Sequence, residues 1–412
     1  MKTNISEQLK YVTDNIPYYS RYKDASITDL PIINKLFIRN NYDLFVSTKI
    51  ENDKRAAIIN ILQDETIHCK ESYNELLKLN DIIIEETSGT SGISIRIAKS
   101  MDERASIGIK MWKYRRSIDT KVNYNNFYLF NHTGLNAVNP DVYNYNEEHI
   151  CNIYRELTEK KTRWIHTSIV PIKKHIEILK NNPKKFDFDP LKYIELTGNY
   201  LNELDKEIVE EYFDAKVINM YGTIETWGIA FSCERGSLHV CNDIVLVELV
   251  DEDHKIITKP NTLGKVVLTT YINKIMPFVR YETGDLGMFR SSEDCLLSSH
   301  PIIELSEGRA INYIKGLTKK CIGSKIFGGI LSDIKKQNNY NDIIYVQFVQ
   351  TKLDKIIVNI NDFSKKEEFV NQISLIACDI LEKHFYFEVY LLNAIELKHR
   401  IIEKPNIFIC KC

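Results

Sequence analysis

Nowhere along the 412 residues is there a run approaching the roughly 18 apolar residues that a membrane-spanning helix needs, and residues 1–20 hold no continuous apolar stretch of the secretory kind. A cytosolic chain without a membrane partner is the expectation. Charge excess is missing too: 54 Lys and Arg face 56 Asp and Glu, a net charge of -2. That balance removes the broad electrostatic pull toward nucleic acid, while a local basic patch can still hold a phosphorylated cofactor. Nor is there a disulfide framework. The nine cysteines are odd in number and scattered from Cys69 to Cys412, which fits a reducing compartment. A prenylation signal needs its cysteine fourth from the end, where this chain has Ile409. Repeats, low-complexity tracts and long Pro/Gly/Ser linkers are also lacking.

What is present is an ordinary globular composition, 44% hydrophobic and 27% charged, in a chain long enough for two domains. The first eighty residues read as helical and polar, with a break at Leu30 and Pro31. Short apolar runs at 81–86, 127–130, 193–196 and 217–221 are separated by helical patterns at 101–116, 172–179 and 203–213. Strands alternating with helices predict a mostly parallel sheet. After Gly236 the pattern becomes strand-rich, clearest at 244–250 and 265–271. The last hundred residues predict strands at 342–350, 355–360 and 385–392 around a helix at 364–382, with Phe369, Ile373, Ile376 and Ile380 on one face. The fold expected is α/β, with a large core domain over 1–311 and a small mobile α+β lid over 312–412.

The run Thr87-Ser88-Gly89-Thr90-Ser91-Gly92 follows the first predicted strand. Glycines let backbone N–H groups approach phosphate oxygens and hydroxyls add further donors, so this composition suits a polyphosphate. The Gly-x4-Gly-Lys-Ser/Thr spacing of P-loop enzymes is absent, which argues against a kinase or GTPase of that class. Taken alone, such a run is equally the composition of a surface loop.

Three further segments follow it: Tyr221-Gly222-Thr223-Ile224-Glu225-Thr226, Tyr281-Glu282-Thr283-Gly284-Asp285-Leu286, and Gly308-Arg309. In order and approximate spacing the four resemble the phosphate loop, the YGxTE segment, the Y-x-TGDL segment and the hinge of the adenylate-forming superfamily, which contains acyl-CoA synthetases, adenylation domains of nonribosomal peptide synthetases and luciferases. Within it the chain looks most like the phenylacetate-CoA ligases and related capsule-biosynthesis ligase-like proteins. Leu30-Pro31, the stretch from Gly236 through His239 to Asp243 and Glu248, and the short length carry that likeness.

The resemblance implies ATP-dependent conversion of a carboxylic acid to its acyl-adenylate, then transfer to the thiol of coenzyme A. Glu225 would hold Mg²⁺, a hard ion suited to carboxylate oxygen. Asp285 would bind the ribose hydroxyls, Tyr221 would lie against adenine, and Arg309 would reach the ribose or α-phosphate. Thr197, Gly198 and Asn199 match the region near the base, with Asn199 in place of the usual glutamate. Ile311 and Asn312 stand where a hinge aspartate is usual. Lys404 matches the catalytic lysine, with Glu403 replacing the preceding glycine. The loop lacks the frequent Pro-Lys pair and has Ser94 and Ile95 before Arg96.

The acyl group is expected between Phe130, His132, Thr133 and Gly134 on one side and Trp227, Gly228 and Ile229 on the other; the aromatic members favour a small flat acid. Cys233, His239 and Cys241 form a candidate structural zinc site, with Cys295 or Cys321 available as a fourth ligand, although the spacing matches no standard finger. Two other readings stand beside coenzyme A ligation. One sends the acyl group to a carrier-protein phosphopantetheine or an amine, and the other is a non-catalytic ligand-binding homologue.

Overall fold

A computed structural model describes residues 2–64, 82–87, 95–130, 145–182, 186–199, 201, 203–292, 294–309, 313–317, 321–322, 326–327, 330–331, 334, 346–393, 396 and 408–410. Helices α1 (Lys2–Asn15), α2 (Lys35–Arg39), α3 (Tyr42–Phe45) and α4 (Asn52–Gln63) open the chain. They are less peripheral than their polarity predicts. Val12, Ile16, Tyr19 and Phe45 share one core with Met276, Phe278 and Tyr281, more than two hundred residues on. Strands β1 (Ile82–Glu86) and β2 (Arg96–Ser100) then form an antiparallel hairpin apart from the main sheet. At its end Ser100 accepts from the Glu103 N–H while Glu103 accepts from the Ser100 N–H, a capping box that starts α5 (Met101–Ile118).

The next elements alternate strand with helix: β3 (Phe127–Leu129), α6 (Glu147–Glu159), β4 (Trp164–Thr167), α7 (Ile169–Lys180), β5 (Tyr193–Thr197), α8 (Glu203–Phe213) and β6 (Lys216–Tyr221), of which α6 and β4 were not predicted. Each strand pairs in parallel with the next. The sheet does not stop there. Strands β7 (Ala230–Ser232), β8 (Leu238–Val240), β9 (Val245–Val250), β10 (Gly264–Thr270), β11 (Tyr281–Arg290) and β12 (Ile302–Arg309) extend it in the order β3-β4-β5-β6-β7-β8-β12-β11-β10-β9. From β6 onward the pairings are antiparallel, so the parallel part and the strand-rich part predicted from sequence are two halves of one mixed sheet.

The C-terminal residues carry a second, smaller sheet. Strands β13 (Tyr313–Ile314) and β14 (Cys321–Ile322) pair with each other, and β15 (Val346–Lys352), β16 (Lys355–Ile360), β17 (Tyr386–Leu391) and β18 (Phe408–Cys410) form a sheet ordered β17-β16-β15-β18. With α9 (Lys366–Ile380) they enclose Phe348, Val358, Phe369 and Ile373. The buried face of α9 differs from the predicted one. It runs through Phe369, Val370, Ile373 and Ala377, whereas Ile376 is 37% and Ile380 51% exposed. The small Ala377 side chain lets the helix turn that flank toward the sheet. Residues 342–345 of the predicted strand, and Ile311 and Asn312 at the expected boundary, lie outside the described residues. Among the described residues no helix is long and apolar enough to cross a membrane.

One ionic network fastens α5 to the parallel strands. The fully buried Glu195 carboxylate of β5 accepts two hydrogen bonds from Arg115, at 2.7 and 2.8 Å, and a third from the Trp164 indole at 2.9 Å. His166 Nδ1 lies 2.7 Å from its other side. Burial alone would raise this carboxyl, but Arg115 and then His166 outweigh it and hold the group well below the usual carboxylate range. Removing one member of such a set leaves a buried charge uncompensated. Arg115→Met is expected to lower unfolding free energy by about 3–5 kcal/mol in urea titrations, and the paired Arg115→Met/Glu195→Leu variant to recover most of it.

Candidate functional site

The parallel strands β5 and β6 end side by side, with Thr197 paired to Met220 one residue before Tyr221. In open α/β sheets ligands bind beyond such carboxyl ends. Thr197, Gly198 and Asn199 are all partly exposed at this edge, and Gly198 turns the chain with φ +84°. After Tyr221 the chain closes a tight loop: the Trp227 N–H donates to Thr223 O at 2.6 Å and the Ile229 N–H to Tyr221 O at 2.9 Å. Gly222 is sterically required, whereas a side chain at Gly228 would have to displace the end of Met111. A Cβ on Gly222 would sit 1.9 Å from the Trp227 carbonyl oxygen, and one on Gly228 would sit 2.4 Å from Met111 Sδ. Trp227 itself is left-handed, with φ +61°.

This loop and the start of β11 are joined reciprocally. The Tyr221 hydroxyl donates to Asp285 Oδ2 at 2.8 Å, and the Tyr281 hydroxyl donates to Glu225 Oε1 at 2.5 Å. Each segment therefore gives a phenol to the carboxylate of the other, in hydrogen bonds strengthened by the acceptor's charge. Gly284, with φ +85°, makes the turn before Asp285, whose N–H donates to Thr283 Oγ1 at 3.0 Å. Across the ladder Arg309 stands opposite Asp285 in the register of β11 and β12. The backbone thus brings together the ribose and hinge residues named from sequence.

Of the expected phosphate loop, Thr87 is described and Ser88, Gly89, Thr90, Ser91 and Gly92 are not. Thr87 ties the neck of that loop, its N–H donating to Ile95 O and its Oγ1 accepting from the Ile95 N–H, both at 2.9 Å. Lys404, His132, Thr133 and Gly134 also lie outside the described residues.

The expected acyl walls divide. Trp227 is partly exposed, its indole N–H donates to Glu85 Oε2 at 3.0 Å, and Lys99 and Arg104 come within 4.9 and 4.7 Å of its ring centre. Phe130 is fully covered by core neighbours, with Tyr128 at 5.3 Å and His175 at 6.0 Å between ring centres, and Ile229 is equally buried. Core packing accounts for both side chains.

Sequence reasoning missed Lys99. Its ammonium is wholly buried, 2.7 Å from Glu85 Oε2 and bonded to the Ile224 carbonyl beside Glu225. Burial pushes its pKa down, and Glu85 partly restores it. The available signal was a lysine within the otherwise apolar run Ile97-Ala98-Lys99. Lys35, whose Nζ lies 3.7 Å from Glu225 Oε1, was missed as well, and no local pattern marks it.

The cysteines and histidine expected to hold zinc are grouped differently from the expected set. Cys233, His239 and Cys295 place ligand atoms within 4.8 Å of one another. Cys295 Sγ is 3.3 Å from His239 Nε2, and His239 Nδ1 is 3.0 Å from the His300 carbonyl oxygen, which fixes the ring. Cys241 is not a member. Its thiol is buried beside Tyr114 and Asp243, and burial, then the Asp243 charge, drives its pKa up.

The fold is that of solved coenzyme A ligases. A 2-hydroxyisobutyryl-CoA ligase in its postadenylation state matches with a TM-score of 0.64 at 14% identity, over 95% of this chain and 85% of that one. An anthranilate CoA ligase bound to anthranoyl-AMP matches at 0.51 and 11% identity, over 78% and 67%. The o-succinylbenzoate coenzyme A synthetase of Bacillus subtilis, in complex with ATP and magnesium ion, matches at 0.51 and 12%, over 78% and 69%. More narrowly, the sequence is similar to the phenylacetate-coenzyme A ligase of Thermus thermophilus, 34% identical over 109 residues. That match covers 26% of this chain and spans about a quarter, 24%, of the ligase. No protein-family model matches.

Asp285→Ala removes the acceptor of the Tyr221 bond and the carboxylate assigned to the ribose. Binding of AMP, followed calorimetrically, is expected to weaken by about 2–4 kcal/mol, with a smaller loss of thermal stability because the Tyr221 hydroxyl loses its charged acceptor.

Proposed function

We propose that the chain is an AMP-forming acid–thiol ligase. A carboxylate oxygen attacks the α-phosphorus of ATP, the bond to pyrophosphate breaks, and an acyl-adenylate results; a thiol then attacks the acyl carbon and AMP leaves. The observation that carries this reading is the reciprocal pair of tyrosine–carboxylate bonds, which sets Glu225 and Asp285 on the loop and strand at the carboxyl edge of the sheet. With Oδ2 taken by Tyr221, Asp285 keeps acceptor capacity for ribose hydroxyls. Glu225 offers hard oxygen on a rigid loop, which fits Mg²⁺, and the ion when bound would supply neutralising charge beside the phosphates. Arg309 is assigned to the ribose or α-phosphate, and Lys404, in the proposed lid over 312–412, to bridging carboxylate and phosphate during adenylation only.

The thiol assigned first is that of coenzyme A; a carrier-protein phosphopantetheine is the competing acceptor. The acid is small, and aromatic acids stand first, because the Trp227 indole is fixed in place and adds about 0.5–1.5 kcal/mol for a stacked ring. ATP–pyrophosphate exchange over benzoates, phenylacetates, amino acids and aliphatic acids tests the reading, with coenzyme A and a phosphopantetheinylated carrier added afterwards. Exchange dependent on a small acid is expected. Absence of exchange with every acid would remove the catalytic reading and leave the ligand-binding homologue.

Cys233, His239 and Cys295 also supply three of the four donors of a structural zinc site, two soft thiolates and an oriented imidazole. About one zinc per chain is expected in purified protein. Cys295→Ser should lose the metal and lower the melting temperature, whereas Cys241→Ser should retain it. Metal analysis alongside thermal unfolding decides this.

A further inference from the structure

We propose that Lys35 is a phosphate-binding residue of this ligase, acting at the β- and γ-phosphates from a helix far from the recognised motifs in sequence. The proposal rests on the ATP-dependent reading above.

ATP brings several negative charges to the site, yet residues 87–95 contain no lysine or arginine. The two cations just after that loop are committed elsewhere. Arg96 donates to the carbonyls of Ile61, at 2.9 Å, and Asp64, and lies 3.6 Å from Glu86. Lys99 is buried against Glu85 and the Ile224 carbonyl. Lys35 is differently placed. Its ammonium reaches Glu225, the assigned magnesium ligand, at 3.7 Å, and its side chain is 16% exposed while that of Glu225 is 2% exposed.

The position is built into the fold. Ile33 forms a parallel bridge with Tyr281, through bonds from the Ile33 N–H to Arg280 O at 3.0 Å and from the Glu282 N–H to Ile33 O at 2.8 Å. Arg280 Nη1 holds the carbonyls of Thr28 and Leu30 at 3.0 and 2.8 Å. Asn34 then caps α2, accepting from the Phe37 N–H at 3.0 Å, and Lys35 is the first residue of that helix. The strand that gives Glu225 its tyrosine therefore also delivers Lys35 to the same carboxylate. A lysine is a compact charge on a flexible stem. Against Glu225 alone it neutralises the carboxylate; once a divalent ion takes that carboxylate, the ammonium turns to the phosphate oxygens beside it.

Calorimetric titration of the full chain with MgATP, magnesium pyrophosphate and AMP tests the assignment, alongside acyl transfer from a synthetic acyl-adenylate to coenzyme A. In Lys35→Ala, MgATP and pyrophosphate affinity should fall roughly 10- to 100-fold while AMP affinity stays within about twofold, since AMP lacks the phosphates concerned. Lys35→Arg should restore most of the loss, and acyl transfer should be unchanged. Unaltered MgATP affinity in Lys35→Ala would overturn the proposal, and so would parallel losses for MgATP and AMP, which mark a structural role. Should Lys35→Ala fail to fold, Lys35→Gln, which keeps the stem, decides by the same comparison. A wild-type chain that binds neither MgATP nor AMP removes the ligase reading itself; wild-type exchange with equal MgATP binding by the variant removes the Lys35 assignment alone.

Discussion

Two phenol–carboxylate hydrogen bonds, Tyr221 to Asp285 and Tyr281 to Glu225, impose a demand on the whole large sheet. Strands β6 and β11 are not neighbours; β7, β8 and β12 lie between them. Four inter-strand steps in a flat sheet would separate them by ~19 Å. A tyrosine side chain cannot cover that distance, so the sheet must curl until both ends face one crevice. The connecting strands are suited to it: β7 and β8 have three residues each, and such short pairings allow strong twist and coil. Site geometry and sheet curvature are thus a single constraint.

Around that constraint the structure supplies rigidity by charge. Lys99 grips the carbonyl of Ile224, the residue before Glu225, and shares Glu85 with the Trp227 indole, so both ends of the glutamate loop hang from the β1–β2 hairpin. A buried lysine is costly unless its hydrogen bonds are met, and here a carboxylate and a carbonyl meet them. The arrangement links the neck of the proposed phosphate loop, tied at Thr87, to the proposed metal ligand through one hairpin.

Much of this was legible in the sequence because it is local. Helix α8 begins and ends where the 203–213 pattern placed it, and three of the four parallel strands, β3, β5 and β6, follow the apolar runs; β4 was not foreseen, and the run at 81–86 lies in the separate hairpin. Contacts that join distant segments were not legible. Nothing near Lys35 announces Glu225, because their encounter depends on Ile33 adding to the edge of β11. Phe130 read as a pocket wall because aromatic character does not reveal which face of a strand end a ring occupies; in the fold it belongs to the layer under α6 and α7. Cys241 failed as a ligand for a related reason. Two residues from His239, it follows β8, and its thiol faces Tyr114 and not Cys233.

The same topology explains why the contacts among Cys233, His239 and Cys295 bear on a site that contains none of them. Among the described residues β8 and β12 meet at one residue pair, His239 with Ile302, so backbone pairing is thinnest where the sheet bends toward β11. Side chains reinforce that seam. His300 Nδ1 lies 3.0 Å from Val240 O, His239 Nδ1 lies 3.0 Å from His300 O, and Cys295 Sγ reaches His239 Nε2. Cys233 and His239 flank the β7–β8 turn, while Cys295 lies in the connection from β11 to β12. The Cys295–His239 contact ties the hairpin that follows Glu225 to the pair of strands that carries Asp285 and Arg309. Loosening this seam would leave each carboxylate intact and let the curl relax, and the distance between Tyr221 and Asp285 would be the first to grow.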